Sequence, residues 1–347
     1  MDANAPLDDV LNRFAKTGPE FGPGLSNHGP MAAEALVRLG RPEAVTRWSD
    51  WYVRVRRLGD HPESRQPIGK EDWREALGDI KRAGDWIAFF DREVREQPWR
   101  DVLETWVDRL APGIMSGATH GMLRTAHAVR TLDVGENAPR LHEFAEGLGY
   151  WAARYQELPT QDAAQGTMSV PDALVRVQRI DPTCRANGLI FDAVKVIDPD
   201  SFGSVVHYVA TDGDADAFVS DLTRTFVRQY LANAQTASIS FIHCVTAPSA
   251  LRTLAPHLSE GTRQAAMRYA WQACASIYAA YADVATDALP AFDEAVEFDA
   301  EDLIEQAVAA RDEHAIKFTE ACLKEHRITG DPAFIAAVQD VVARLRR

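Results

Sequence analysis

The chain has 347 residues, 46% apolar and 25% charged, with a formal net charge of −14. That length can bury a large core, and the acidic balance argues against a phosphate-binding surface, so neither nucleic acid nor an anionic membrane is an expected partner. No apolar run approaches the roughly 18 residues of a membrane helix. Residues 1–6 (MDANAP) do not read as a signal peptide. Cys184, Cys244, Cys274 and Cys322 show no CxxC pairing, so free thiols in a reducing cytoplasm are expected.

Along the chain, Pro30 suits the first turn of a helix over 31–39. Helical patterning continues over 72–96, 99–110, 115–131 and 141–156, with breakers at 59–62 (GDHP), Gln97-Pro98 and Ala111-Pro112-Gly113. Residues 158–171 (LPTQDAAQGTMSVP) read as a linker between two halves, residues 1–158 and 172–347. A short strand is expected within 203–211 (GSVVHYVAT), and helices over 216–237, 248–257, 261–285, 300–326 and 332–346. Strands alternating with helices are missing, so a parallel sheet is not expected. The fold class is mostly all-α: a large irregular helical domain built from two helical halves.

There is no GxGxxG after a strand, no GxxxxGK[ST] and no GxSxG elbow. Histidines therefore carry the chemical signal. In the helix expected to begin near Ala300, Asp299 is the candidate N-cap, with Glu301 and Asp302 in the first turn. At about 100° per residue, Leu303, Ala307, Ala310, His314, Lys317 and Ala321 share one stripe, and Glu305, Asp312, Glu313 and Glu320 fall opposite. A lysine on a buried stripe needs a partner or loses its proton. A neutral amine can add carbon dioxide to form a carbamate, which offers oxygen ligands; otherwise Lys317 snorkels to the surface.

In ATHGMLRTAH (118–127), His120, Arg124 and His127 share a helical face. The seven-residue rise of about 10 Å keeps His120 and His127 from easily sharing one ion. His28 lies in LSNHGPM, where Ser26 or Asn27 caps the next helix and Gly29-Pro30 stiffens the turn. His243 lies among apolar residues in FIHCVTAP, with Thr246 and Pro248 starting a further helix. His61, His142, His257 and His326 read as surface residues, and His207 as a weaker ligand candidate or substrate contact. Spacing alone identifies no metal. A different metal performing hydrolysis or isomerisation, or a helical carrier of a hydrophobic metabolite, also fits these residues.

Four stretches resemble the questin oxidase-like family: LSNHGPMAAEALVRLG (25–40), APGIMSGATHGMLRTAHAVR (111–130), FIHCVTAPSALR (241–252) and DEHAIKFTEAC (312–322). The resemblance implies a late aromatic-polyketide oxygenase that opens an anthraquinone ring by Baeyer–Villiger-type or dioxygenase chemistry. It further implies non-haem Fe(II), molecular oxygen as co-substrate, and a central site of four histidines and a carboxylated lysine. By motif, the ligands would be His28, His120, His243, His314 and Lys317. Imidazoles suit Fe(II), and one anionic oxygen ligand partly balances its charge. Arg124 is then expected to stabilise a phenolate or an oxygen intermediate, and Asn27 and Thr246 to donate hydrogen bonds to the ligands. A small aromatic substrate is expected; Trp48, Trp51, Tyr52, Trp86 and Trp151 either line a flat site for it or, the reading favoured for large aromatics, pack in the core.

Overall fold

The structure, a computed structural model, describes residues 4–284 and 297–346. It is mostly helical, and its one sheet among the described residues is the two-stranded hairpin β1 (Glu20–Phe21) and β2 (Leu25–Ser26). The N-terminal part holds α1 (Ala5–Phe14), α2 (Gly29–Arg38), α3 (Pro42–Arg56), α4 (Ala83–Glu96), α5 (Trp99–Leu110), α6 (His120–Val134) and α7 (Ala138–Ala153). Three short helices follow, α8 (Val170–Val175), α9 (Ile190–Ala193) and α10 (Pro199–Phe202). The C-terminal part holds α11 (Ala215–Leu254), α12 (Glu260–Tyr281), α13 (Ala300–Ala310), α14 (Glu313–Thr329) and α15 (Ala333–Leu345). Buried side chains from both parts merge into one hydrophobic core.

Four elements matter for function. Helix α2 packs on α6 and α14, and α11 packs on α6 and α14, so α2, α6, α11 and α14 close a ring. They are brought together from opposite ends of the sequence.

Several expected elements are corrected. The helix expected over 72–96 begins only at Ala83, because Gly78 sits at φ +73° and 3₁₀ turns at Trp73–Ala76 and Ile80–Arg82 precede it. The helix expected over 115–131 begins at His120, after three residues at positive φ: Gly117 (53°), Ala118 (59°) and Thr119 (71°). The strand expected within 203–211 is instead a 3₁₀ turn at Val205–His207, with Val209 making one isolated bridge to Met168. A β-branched run too short to pair takes the local turn.

The helix expected over 216–237 ends, as expected, at the kink at Ala237 (φ −142°, ψ 32°), where α11 is two helices joined end to end. The one expected over 248–257 belongs to the second, which begins earlier and stops at Leu254, before a 3₁₀ turn at Ala255–His257. The intervening 240–247 (SFIHCVTA) is buried on every side, so it lacks the polar face by which sequence periodicity reveals a helix. Pro248 lies inside this helix rather than starting another, leaving the Cys244 carbonyl without its usual N–H partner. The Cys274 thiol, 3.7 Å away, points its donor there.

The helix expected over 300–326 is two helices, because Arg311 adopts φ 56° and Asp312 caps α14 through the His314 N–H at 2.9 Å. The side assignment read across that break therefore fails: Glu313 and Glu320 are buried, not solvent-facing. Asp299 caps α13 as expected. The helix expected to end at Ala285 ends at Tyr281, and residue 285 lies outside the described residues.

Candidate metal centre

Each wall of the helix ring contributes one histidine at or near a helix end or bend. His28 is the N-cap of α2, in a turn fixed by Asn27. Asn27 Nδ2 donates to Thr17 Oγ1 (3.1 Å) and the Gly18 carbonyl (3.0 Å), and its Oδ1 accepts from the Gly29 N–H at 3.0 Å. Gly29 is required there, since a Cβ would meet Phe14 Cε1 at 2.2 Å. His120 opens α6 directly after the strained 117–119 turn; Ala118 and Thr119 hold a conformation that costs non-glycine residues on the order of 1–2 kcal/mol each. His243 lies six residues past the bend of α11, and His314 in the first turn of α14.

The ring nitrogens are set by their outer partners. The His28 Nδ1–H donates to the Ser26 carbonyl (2.6 Å), that of His120 to the Gly117 carbonyl (2.5 Å) and that of His243 to the Ile239 carbonyl (2.7 Å). His314 Nδ1 faces Asp312 Oδ1 at 3.2 Å. Carbonyls and carboxylates only accept, so Nδ1 carries the proton and Nε2 is left as a bare lone pair.

Three of those nitrogens make a chain of short contacts, with His120 in the middle. His120 Nε2 lies 2.8 Å from His28 Nε2 and 3.3 Å from His243 Nε2. The imidazoles form a closed ring, with centroid separations of 4.5 Å (His28–His120), 4.8 Å (His120–His243), 6.2 Å (His243–His314) and 4.8 Å (His314–His28).

Two lone pairs at such range repel unless a proton or a cation lies between them. Burial first, with Lys317 and the neighbouring imidazoles adding to it, holds His28 and His120 well below the ordinary histidine range. The same effects lower His243 to about 3. A proton is thus disfavoured at neutral pH, and the gap suits a cation: adjacent imidazoles bonded to one ion at about 2.1 Å sit about 3.0 Å apart in an octahedral site. Lys317, 3% exposed, is lowered to about 7 by burial, partly offset by Glu313 and Asp312. This donor set fits a transition metal of the iron class.

A cavity of about 420 Å³ opens from the ring to the surface. His28, His120, His243 and His314 form its inner end, and Phe21, Leu25, Leu189, Ile190, Phe191 and Tyr281 supply much of its wall. At its side Arg56 Nη2 holds the buried Glu313 through both oxygens, at 2.6 and 2.8 Å. Lys317 instead lines a second, small cavity of about 20 Å³ with Thr246, His127 and Arg130.

The structure thus brings His28, His120, His243 and His314 together and buries Lys317 beside them. Three other expectations change. Arg124 does not line the main cavity; it is buried against Glu143, at 2.6 and 2.8 Å, with Glu146 at 3.3 Å. Asn27 spends its hydrogen bonds on the turn that carries His28. Thr246 Oγ1 donates to the Ile242 carbonyl at 3.0 Å and faces the Lys317 cavity, not the imidazoles. His127 is separate, its Nδ1 2.7 Å from Glu34 in a buried network with Arg130 and Glu320.

None of the five aromatic residues lines the main cavity. Trp48 and Trp51 line a different groove, Tyr52 accepts the His28 backbone N–H at 2.8 Å, and Trp86 and Trp151 are core. The residues sequence reasoning missed, Phe21 in β1 and Leu189–Phe191 at the start of α9, lie in elements of two and four residues, too short to show a period. The apolar run GLIF (188–191) after a glycine was the one available signal. His61, His142, His257 and His326 are half-buried rather than surface residues, and His207, also half-buried, is not among the residues lining the main cavity.

No individually curated protein is similar enough to the chain to match it. A family model does match, over residues 25–322, a span that includes every histidine of the ring and Lys317. The chain belongs to the questin oxidase-like family.

Proposed function

We propose that this protein is a non-haem iron oxygenase that oxidatively cleaves a ring of a flat, anthraquinone-like polyketide. Membership of the family carries an oxidase-type role in polyketide tailoring. The observation that bears most weight beyond it is the ring of four imidazoles, three of them with protons fixed outward by backbone carbonyls, at the inner end of an apolar cavity.

His28, His120, His243 and His314 would hold the iron, with Lys317 completing the set as its carbamate. Bound iron would supply the electron-transfer route that lets dioxygen react with a closed-shell aromatic molecule. The protein's own part is positioning and exclusion of water. Phe21, Ile190 and Phe191 offer apolar faces for a planar ring system, in a volume within the range of small-molecule sites. Tyr281, whose hydroxyl burial pushes above its ordinary pKa, stays protonated at neutral pH and donates to a phenolic or quinone oxygen. The Arg56–Glu313 pair holds the start of α14, and with it His314, against the cavity.

The test is dioxygen consumption by anaerobically iron-loaded protein given a reduced anthraquinone. Uptake dependent on both iron and substrate, with a ring-opened product, is expected. Iron-loaded, folded protein that binds the substrate yet consumes no dioxygen would overturn the oxygenase reading.

A further inference from the structure

A second cluster of donors lies on α7 and the loop after α3, built around a buried carboxylate that has ion-pair neighbours but accepts no well-formed hydrogen bond. Glu146 is 1% exposed, yet neither of its side-chain oxygens accepts a well-formed hydrogen bond. Its close neighbours are His61 Nε2 at 3.0 Å, His142 Nε2 at 3.5 Å and Arg124 Nη2 at 3.3 Å. The His61 Nε2 atom is likewise buried without a hydrogen bond. The 3.0 Å approach therefore has the wrong direction for a hydrogen bond, though the right separation for two ligands of a common ion, about 3.0–3.4 Å at bond lengths near 2.1 Å.

The surroundings are organised for this. His142 and Glu146 are one helical turn apart on α7 and so face the same way. Both oxygens of Asp91 contact His142 Nδ1, at 2.9 and 3.1 Å, which turns Nε2 toward Glu146. A carboxylate behind a histidine in this way fixes its tautomer and strengthens it as a ligand. His61 is brought in by the loop after α3, whose backbone N–H at that residue donates to the Lys16 carbonyl at 3.0 Å. Among the described residues, His61, His142 and Glu146 are the one group of three or more such donors whose ligand atoms all lie within 4.8 Å of one another. Asp91, Glu143 and Glu146 against Arg124 leave two uncompensated negative charges when the histidines are neutral, matching a divalent cation.

We infer that His61, His142 and Glu146 form a second metal site, distinct from the histidine ring, which takes a divalent transition cation of the zinc class and clamps the loop after α3 to α7. The half-exposed histidine side chains, 29% and 28% accessible, give the ion a route from solvent.

Cobalt(II) serves as the probe, because its visible bands report coordination directly. The full-length His120→Ala variant, stripped with chelator, removes a member of the histidine ring and leaves the second cluster intact. One equivalent of cobalt is expected, with intense low-symmetry bands. Adding His61→Ala or His142→Ala should weaken binding more than about 100-fold, and Asp91→Asn about 10–100-fold. His61→Ala alters a half-exposed loop residue, so with unchanged circular dichroism it decides the matter if the α7 variant misfolds. Cobalt affinity and spectrum unchanged by His61→Ala, or no binding tighter than millimolar in the His120→Ala protein, would overturn the inference.

Discussion

Lys317 is the residue on which the proposed chemistry turns. Burial lowers its amine to about 7, against an unfolded value of 10.5. Between those values the unfolded chain binds more protons than the folded one, so this group's contribution makes metal-free protein more stable as pH rises from 7 toward 10.5. In the metal-free protein His142 acts in the opposite sense: the carboxylates of Asp91 and then Glu146 raise it from 6.5 to about 10, so its stabilisation is present below 6.5 and lost as pH climbs through 10. Whole-protein melts would mix the two. Comparison with Lys317→Met isolates the lysine: in carbon-dioxide-free buffer the variant should be more stable at pH 7 by a few kcal/mol at most, on the order of 1.4 per pKa unit, and the gain should shrink toward pH 10. With iron present, Lys317→Ala should lose activity and regain part of it from added acetate or formate, which can replace the missing carboxylate oxygen.

Helices α6 and α7 carry the next level of the argument. A Cβ on Gly121 would meet Trp151 Cα at 2.5 Å, and one on Gly147 would meet the Thr125 N at 2.8 Å, so these glycines set how closely the two helices pack. Gly121→Ala, one residue from His120, is expected to destabilise the fold by about 1–3 kcal/mol and to reduce iron content, as read by chemical denaturation and metal analysis. Ala118→Gly tests the strained turn: relief of φ 59° outweighs the added flexibility of glycine, so stability should hold or rise by under about 1 kcal/mol. Element boundaries mark the limit of sequence reading here. Amphipathic helices such as α5 were legible from end to end, because a polar face survives to reveal the period. The buried stretch of α11 was not, and neither was the α13–α14 break, where Arg311 adopts a left-handed conformation that its side chain does not announce.

At the scale of the whole molecule, the ring of α2, α6, α11 and α14 joins residues nearly 290 positions apart at one centre, from His28 to Lys317. The histidines gathered there were legible through the family resemblance of their motifs; read alone, His28, His120 and His243 fitted a helix start or a hydrogen-bonded core residue as well as a ligand. The cavity wall was not, since Phe21 and the 188–191 run reach the site on a two-residue strand and a four-residue helix, too short for any periodicity to encode. Trp86 and Trp151 are core residues because large aromatics stabilise helix packing wherever they can be buried, while Trp48 and Trp51 line a separate groove. Because the proposed ligands tie distant segments together, anaerobic Fe(II) should raise the melting temperature of the wild-type protein and not that of His28→Ala or His314→Ala.

The most direct measurement is iron content after anaerobic Fe(II) reconstitution, wild type beside His28→Ala, His120→Ala, His243→Ala, His314→Ala and His127→Ala. The histidine ring requires about one equivalent fewer in each of the first four, and the wild-type content in His127→Ala, whose Nδ1 belongs to the Glu34 network. Iron retained in full by folded variants of all four ring histidines would contradict a metal centre at this site.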